Sequence, residues 1–343
     1  MVHDITVLLP VYNGEQFIAE AVNSILKQTY TNFELLIMDD GSTDQTPKIL
    51  KELARYDSRI RLHRSKNRGL IATLNKGLTL SFTELIARMD ADDCALPERL
   101  ALQKAYMDAH PQIAVCGTGI KMYESGRVVI PRYGAPFDVL CLFGSPMAHP
   151  TVMYRRSVIL KMGGYAEHML AAEDYDLWCR LASAGYGIDN LPQPLLRYRE
   201  HPQLTRIQYR RQSSRTTHAI WERQLNALGF SPLYPNLDAH AYCASPCEDI
   251  LLRQQAARKW LKKLCQANRL RAVYAQGQLE RECSRIVASF PPPLRLFTAP
   301  AIWVKRFLRY CCFFVLRCMG TLGERIESAI RRALLYFSSI DRE

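Results

Sequence analysis

Two stretches decide how this chain folds. Phe33-Glu34-Leu35-Leu36-Ile37-Met38 runs into Asp39-Asp40-Gly41-Ser42, and Glu84-Leu85-Ile86-Ala87-Arg88-Met89 runs into Asp90-Ala91-Asp92-Asp93. Each is an apolar run of strand length closed by an acidic turn. Ligands of an open α/β sheet gather outside the carboxyl ends of its strands. Both carboxylate clusters therefore sit where such a sheet binds.

Working outward, Ile5-Thr6-Val7-Leu8-Leu9 reads as a buried strand stopped by Pro10. A helix follows over about 15–28, with Phe17, Ile18, Ala21, Val22, Ile25 and Leu26 on one face. Asp44 is placed to cap a second helix through Tyr56, with Pro47 in its first turn. A short strand at 60–63, a helix at 69–80 and a helix at 97–109 opened by Pro97 continue the pattern. Strand and helix alternate with short connections, which predicts a mostly parallel, doubly wound α/β sheet. Further on, 112–123, 127–131 and 151–154 read as strands, 136–150 as loop, and 174–184 as a helix ended by Gly185. Beyond 205–215 the pattern is helical, over about 213–228, 247–265, 267–289 and 299–337.

Charge divides the chain at the same place. Residues 1–205 carry 22 Lys/Arg against 23 Asp/Glu, and residues 206–343 carry 23 against 10, so the net charge of +12 belongs to the second part. The expected organisation is a catalytic domain over 1–210 and a basic, mostly helical extension over 211–343. Eleven cysteines form no disulfide framework or zinc spacing, and Met1-Val2-His3-Asp4 leads directly into a strand. Both features point to the reducing cytoplasm.

Three segments carry the candidate chemistry. Pro10-Val11-Tyr12-Asn13-Gly14-Glu15 lies between the first strand and first helix, where backbone groups and the Tyr12 ring can meet a nucleotide. It is neither a dinucleotide fingerprint nor a Walker A loop, and a plain βα turn explains it equally. Asp39-Asp40 can bond a nucleobase or ribose, although a turn and helix cap account for Gly41 and Asp44. Asp90-Ala91-Asp92-Asp93 is sharper, because three carboxylates in four residues repel one another unless a cation or donors neutralise them. Mg²⁺ or Mn²⁺, both oxygen-seeking, would do so and would bridge a diphosphate.

Together these segments resemble the family 2 glycosyltransferases, an inverting family with the GT-A fold, and are similar to bacterial enzymes of surface polysaccharide and lipopolysaccharide synthesis. The resemblance continues through Asn67-Arg68-Gly69, Leu96-Pro97-Glu98-Arg99-Leu100, His149-Pro150-Thr151-Val152-Met153 and Glu173-Asp174-Tyr175-Asp176-Leu177-Trp178, covering about residues 4–205. It implies that Pro10, Tyr12, Glu15, Asp40 and Asn67 line the pocket of a nucleoside-diphosphate sugar, with a UDP-sugar first among donors. Asp90 would touch the ribose, Asp92 and His201 the metal, and Asp174 would be the catalytic base. His201 reads equally as a surface histidine, and Glu173 and Asp176 as first-turn helix charges. The Gln-x-x-Arg-Trp motif of processive members is missing, which favours transfer of a single sugar to a glycan or lipid-linked acceptor. A sugar nucleotidyltransferase and a membrane-associated scaffold are the alternative readings.

In 299–337, Trp303, Phe307, Tyr310 and Phe314 recur at helical spacing among Lys305, Arg306, Arg309 and Arg317. The uncharged run Tyr310–Leu316 is far short of the roughly 20 residues that span a bilayer. The segment is expected to rest on an anionic membrane surface, at the inner face, or to pack against protein. Nucleic acid is not an expected partner, since no binding motif accompanies the basic charge.

Overall fold

The computed structural model describes residues 3–200, 203–231, 234–244, 251–275 and 277–290. The strands are β1 (Ile5–Val11), β2 (Phe33–Asp39), β3 (Ile60–Arg64), β4 (Leu85–Arg88), β5 (Cys94–Ala95), β6 (Ile113–Met122), β7 (Val128–Val129), β8 (Met153–Arg155) and β9 (Gly187–Tyr198). The helices of the alternating half are α1 (Ile18–Leu26), α2 (Thr46–Tyr56), α3 (Leu70–Leu80) and α4 (Arg99–Ala109). Next come α5 (Phe137–Phe143), α6 (Arg156–Lys161) and α7 (Glu173–Ser183), with a 3₁₀ turn at His149–Thr151. Four helices end the described chain: α8 (Gln203–Ala227), α9 (Tyr234–Ala244), α10 (Leu251–Arg271) and α11 (Gln278–Ser289).

All nine strands share one sheet in the order β3-β2-β1-β4-β8-β6-β9-β5, with β7 paired to β6. β1 runs parallel to β2 and β4, and β2 to β3. Antiparallel β8 then joins this half to β6 and β9, which are parallel to each other. The result is the mostly parallel α/β sheet that the alternating pattern predicts, ending in a helical region.

Strand alternation sorts the core into two layers. Leu8, Leu36, Met38 and Ile86 face one side with α3, α5 and α7, while Val7, Leu9, Leu35, Ile37 and Ala87 face the other with α1, α2 and α4. The first layer continues without a break into α8–α11 through Trp221, Leu225, Trp260, Leu264 and Leu279. Met1–Phe290 accordingly form one compact unit. The sheet and the described helices beyond 210 share its interior.

Several local expectations need correction. Residues 136–150 are not all loop: α5 buries Phe137, Val139, Cys141, Leu142 and Phe143. Its seven residues are apolar nearly all round because α7, α8, α9 and α11 surround it, so it shows no helical period. The twelve-residue strand β9 carries Pro192 and Pro194, residues that argue against a strand. Both lie at a bulge, where Thr118 pairs with Leu191 but Gly119 with Pro194. Gly119 makes room for it, since a Cβ there would stand 3.0 Å from the Gln193 carbonyl oxygen. Pro97 precedes α4 by two residues rather than opening it, and its carbonyl instead accepts the Thr29 amide at 2.9 Å. Asp44 does cap α2: its Oδ1 accepts the Thr46 amide at 3.0 Å, whereas Gln45, directly before the helix, makes no side-chain capping bond.

The Cys141 carbonyl oxygen gathers the helices around α5. It accepts the Tyr175 hydroxyl at 2.5 Å and the Gln224 side-chain amide at 2.8 Å. Nearby, neutral His240 donates from Nε2 to the Leu142 carbonyl at 2.8 Å and accepts the Trp260 indole N–H at 3.1 Å. Burial holds the His240 pKa down at about 4, which suits this arrangement. Gln224→Ala would leave the buried Cys141 carbonyl with a poorer set of donors, at a cost of about 1–3 kcal/mol. A single cooperative unfolding transition, shifted down by that amount in denaturant titrations, is the expected result.

Candidate active site

The loops at the carboxyl edge of β1 and β2 are laced together. The Asn13 amide donates to Ser42 Oγ at 2.9 Å, that of Gly14 to Thr46 Oγ1 at 2.9 Å, and that of Glu15 to Asp44 Oδ2 at 3.0 Å. In return the Thr43 amide donates to Asn13 Oδ1 at 2.8 Å and the Gln45 amide to Glu15 Oε2 at 2.8 Å. The Glu15 carboxylate is therefore occupied in joining the loops. Pro10 is buried within β1, and the Tyr12 ring is 53% exposed beside this seam.

Asp40 fixes the next loop. Its two carboxylate oxygens accept the amides of Arg68 and Gly69, each at 2.9 Å, which draws Asn67-Arg68-Gly69 to the end of β2. Gly41 permits the close approach: its φ is +80°, and a Cβ there would lie 2.7 Å from the Asn67 nitrogen. Asn67 itself is exposed. Asp39 accepts the Ser42 amide at 2.9 Å and pairs with Arg64 at 3.0 Å.

The β4 turn is organised by arginines. Arg88, almost wholly buried, grips Asp90 with both terminal nitrogens, at 2.7 and 2.6 Å. Burial opposes its charge, but Asp90 and the nearby Glu173 more than offset that and hold its pKa up. Arg99, also buried, donates to the Arg88 carbonyl at 2.6 Å. Desolvation lowers its pKa to about 9, so it too stays charged at neutral pH. Asp90, Asp92 and Asp93 each offer a carboxylate oxygen within 4.8 Å of the others. Asp93 is buried, and burial together with the charge of Asp90 raises its pKa to about 8. Its Oδ2 has no hydrogen-bond partner. A crowded all-oxygen donor set with an orphaned buried oxygen fits a hard divalent cation.

Arg199 holds this turn from the far end of β9. Its amide donates to Asp93 Oδ1 at 2.9 Å, its Nε to the Asp92 carbonyl at 3.0 Å, and its Nη2 to Glu20 at 2.9 Å. The guanidinium also stacks 4.2 Å from the Phe17 ring centre and 3.9 Å from that of Tyr123, whose hydroxyl donates to Glu20 at 2.6 Å.

At the start of α7, Glu173 and Asp174 stand side by side. Glu173 is 5% exposed, while Asp174 is partly open to solvent. Burial raises the Asp174 pKa, with a backbone bond from Tyr175 and the charge of Arg88 working against it and Asp90 adding to it. Burial, then the charge of Asp174, pushes Glu173 up to about 7. Glu173 thus holds a proton about half the time at neutral pH and leaves the adjacent negative charge to Asp174. It also lines a cavity of about 390 Å³ with Arg68–Ala72, Glu167 and Leu170. His149 sits in the core beside it, bonded to the Tyr165 hydroxyl at 3.0 Å, and burial keeps it neutral. Its 3.9 Å approach to Glu173 is therefore not an ion pair.

The structure brings Pro10, Tyr12, Glu15, Asp40, Asn67, Asp90 and Asp92 to one sheet edge, and Asp174 shares a charge network with Arg88 and Asp90. His201 lies outside the described residues. Sequence reasoning missed Arg88, Arg99, Arg199 and Glu20. A cation inside an apolar strand was a usable signal for Arg88, since buried charges need partners. Arg199 gave none, because its partners lie 107 and 179 residues away.

The model described as "Glycosyl transferase family 2" matches residues 6–160, and "Glycosyl transferase family group 2" matches 85–321. The putative glycosyltransferase EpsE of Bacillus subtilis is 36% identical over 204 residues, covering 57% of this chain and 73% of the relative. The O-antigen biosynthesis glycosyltransferase WbnJ of Escherichia coli is 35% identical over 208 residues, covering 59% and 81%. Among solved structures, S. aureus TarS 1–349 in complex with UDP-GlcNAc superposes with a TM-score of 0.56 at 18% identity, covering 83% and 91%. The chain belongs to the family 2 glycosyltransferases, and glycosyl transfer rather than nucleotidyl transfer is its class of reaction.

Two variants probe the site's framework. Arg199→Ala removes the stacking and the side-chain bonds to the Asp92 carbonyl and Glu20, keeps the backbone bond to Asp93, and should lower stability by about 1–3 kcal/mol, with Arg199→Lys restoring less than half in thermal melts. Glu173 keeps its proton to about pH 7 in the fold, against 4.5 for an unperturbed carboxyl. Folding therefore takes up a proton between those values, and this group makes stability fall as pH rises through the window. Glu173→Gln should match the parent below pH 4.5 and exceed it above pH 7 by on the order of 2–3 kcal/mol in denaturant titrations.

Proposed function

We propose that the protein moves a single sugar from a nucleoside-diphosphate sugar, a UDP-sugar first among candidates, to a glycan or lipid-linked acceptor, with inversion at the anomeric carbon. In this reading Pro10, Tyr12 and Asn67 line the nucleotide pocket. Glu15 and Asp40 shape it by holding the loops, and Asp90 meets the ribose. Asp174 takes the proton from the acceptor hydroxyl as that oxygen attacks opposite the departing diphosphate. The observation that carries the reading is the cluster of Asp90, Asp92 and Asp93 at the end of β4, whose carboxylate oxygens lie within 4.8 Å of one another. Glu173, protonated about half the time at neutral pH, spares Asp174 a fully charged neighbour.

A divalent cation, Mg²⁺ or Mn²⁺, fits the Asp90, Asp92 and Asp93 oxygens, with Asp92 as its main ligand and His201 as a further one. When bound it would neutralise the diphosphate of the leaving nucleotide. EpsE and WbnJ support a place in bacterial polysaccharide synthesis, WbnJ through O-antigen biosynthesis. No helix among the described residues is long and apolar enough to cross a membrane. Attachment of the basic segment 299–337 to the inner membrane face, and the division of labour at residue 210, belong to the same proposal. The segment 299–337 lies outside the described residues.

A panel of nucleotide sugars with Mn²⁺, read by thermal stabilisation, tests the donor. A true donor at 100 times its Kd should add about 2.7 kcal/mol. Asp92→Ala should abolish the cation-dependent part of that gain. Asp174→Asn should keep donor stabilisation but lose transfer by roughly 10²–10⁴-fold, and the product linkage should show the inverted anomer by NMR. Full transfer by the Asp174 variant would refute the assignment of the base.

A further inference from the structure

The α10 helix carries seven Lys and Arg and not one Asp or Glu across residues 251–271. Trp260, Leu261 and Leu264 face inward. Arg258, Lys259, Lys262, Lys263 and Arg269 are exposed. Among the described residues, only Arg269 of these five has an acidic partner, Glu280 at 3.4 Å. A row of cations with a single acidic partner among the described residues raises a local positive potential.

A groove of about 540 Å³ opens on that row between α10 and α11. Arg258, Lys262 and Arg269 line one wall, and Leu261, Cys265 and Val287 add apolar surface. At the end of the helix Leu270 is 88% exposed, flanked by Arg269 and Arg271. Cations beside apolar surface match an amphiphile with an anionic head, whereas a nucleic acid asks for aromatic stacking surfaces. None of the described lining residues is aromatic. The chain's own segment 291–343 is itself basic, with nine Lys/Arg against four Asp/Glu, so charge complementarity points away from it as the occupant.

We infer that the α10–α11 groove and the cationic face of α10 dock on a bilayer of anionic phospholipid, with a lipid phosphate seated between Arg258, Lys262 and Arg269. This surface is distinct from segment 299–337 and is built from elements that form no part of the donor site. It would hold the enzyme at the surface where a lipid-linked acceptor resides, and only that last link rests on the proposed function.

Flotation of the purified full chain with vesicles tests it. Vesicles of phosphatidylcholine plus phosphatidylglycerol should bind the protein, in a salt-sensitive way, and vesicles of phosphatidylcholine alone should not. Arg258→Gln/Lys262→Gln/Arg269→Gln should weaken binding on the order of 100-fold. Lys48→Gln/Lys51→Gln/Arg55→Gln, the same charge change on exposed positions of α2, should change it less than about threefold. Donor-induced thermal stabilisation, measured alongside, should be the same in both variants, which separates loss of docking from loss of fold or of the donor site. Should the groove variant melt early, Arg258→Lys/Lys262→Arg must bind like the parent and Leu270→Asn must bind more weakly. Equal losses in the α10 and α2 variants, parental binding by the groove variant, or preference for single-stranded RNA or free inorganic phosphate over the anionic vesicles would each overturn the inference.

Discussion

The grip of Arg88 on Asp90 is the interaction on which the site depends. A guanidinium buried inside a parallel sheet is costly unless its charge is answered at close range. Here the answer comes from the acidic turn that follows the same strand, at 2.6–2.7 Å. The bidentate geometry uses both terminal nitrogens of a rigid planar group, so it fixes direction as well as distance. Asp90 is thereby held at the strand end, and the turn 90–93 inherits its orientation. Arg99 adds a second buried cation behind it, bonded to the Arg88 carbonyl. Around these two charges stand Asp90, Asp93, Glu173 and Asp174, and each of the last three is pushed upward in pKa by its burial. The balance is tight enough that one further positive charge at the turn would be welcome, which is the electrostatic reason a cation belongs there.

A turn held from one side alone could still pivot. Arg199 supplies the second point of attachment, from the end of β9, and is itself held flat between Phe17 and Tyr123. The reciprocal bonds between the loops after β1 and β2 do the same for the nucleotide side. Backbone amides are answered there by side chains of the opposite loop, so neither loop can move without breaking its partner's bonds. Such preorganisation lowers the cost of ordering when a donor arrives. The carboxylates of Glu15 and Asp40 are used in this bracing, which makes them positioning groups.

Much of this was legible beforehand, for identifiable reasons. The βα alternation, the strands that carry the site and the acidic turns are local patterns, and each element appeared within a few residues of its expected place. What local pattern could not show was anything sustained by distant partners. α5 has no helical period because four helices cover it, and β9 tolerates two prolines because Gly119 opens a bulge opposite them. At the site, the acids were visible because they cluster in sequence. Arg199, which restrains them from β9, was not, because a lone Arg beside Tyr198 looks like any other surface charge. Charge composition also drew attention to residue 210, whereas packing runs on to Phe290.

That difference between charge and packing has a physical explanation. Composition averages a helix around its axis, but a helix can be core on one face and charged on the other. α10 does both: Trp260 and Leu264 join the layer that also contains Leu8 and Trp178, while its cations face outward. The basic excess of α10 is thus a property of its outer surface, laid over an interior continuous with the sheet. A tether that merely trailed behind the domain would need no such interior. Because Cys141, Gln224, His240 and Trp260 join the helices beyond 210 to α5 and α7, any force acting on the cationic face is transmitted through packed groups to the element that carries Asp174. Orientation of the basic face therefore also orients α7 and the paired acids that open it.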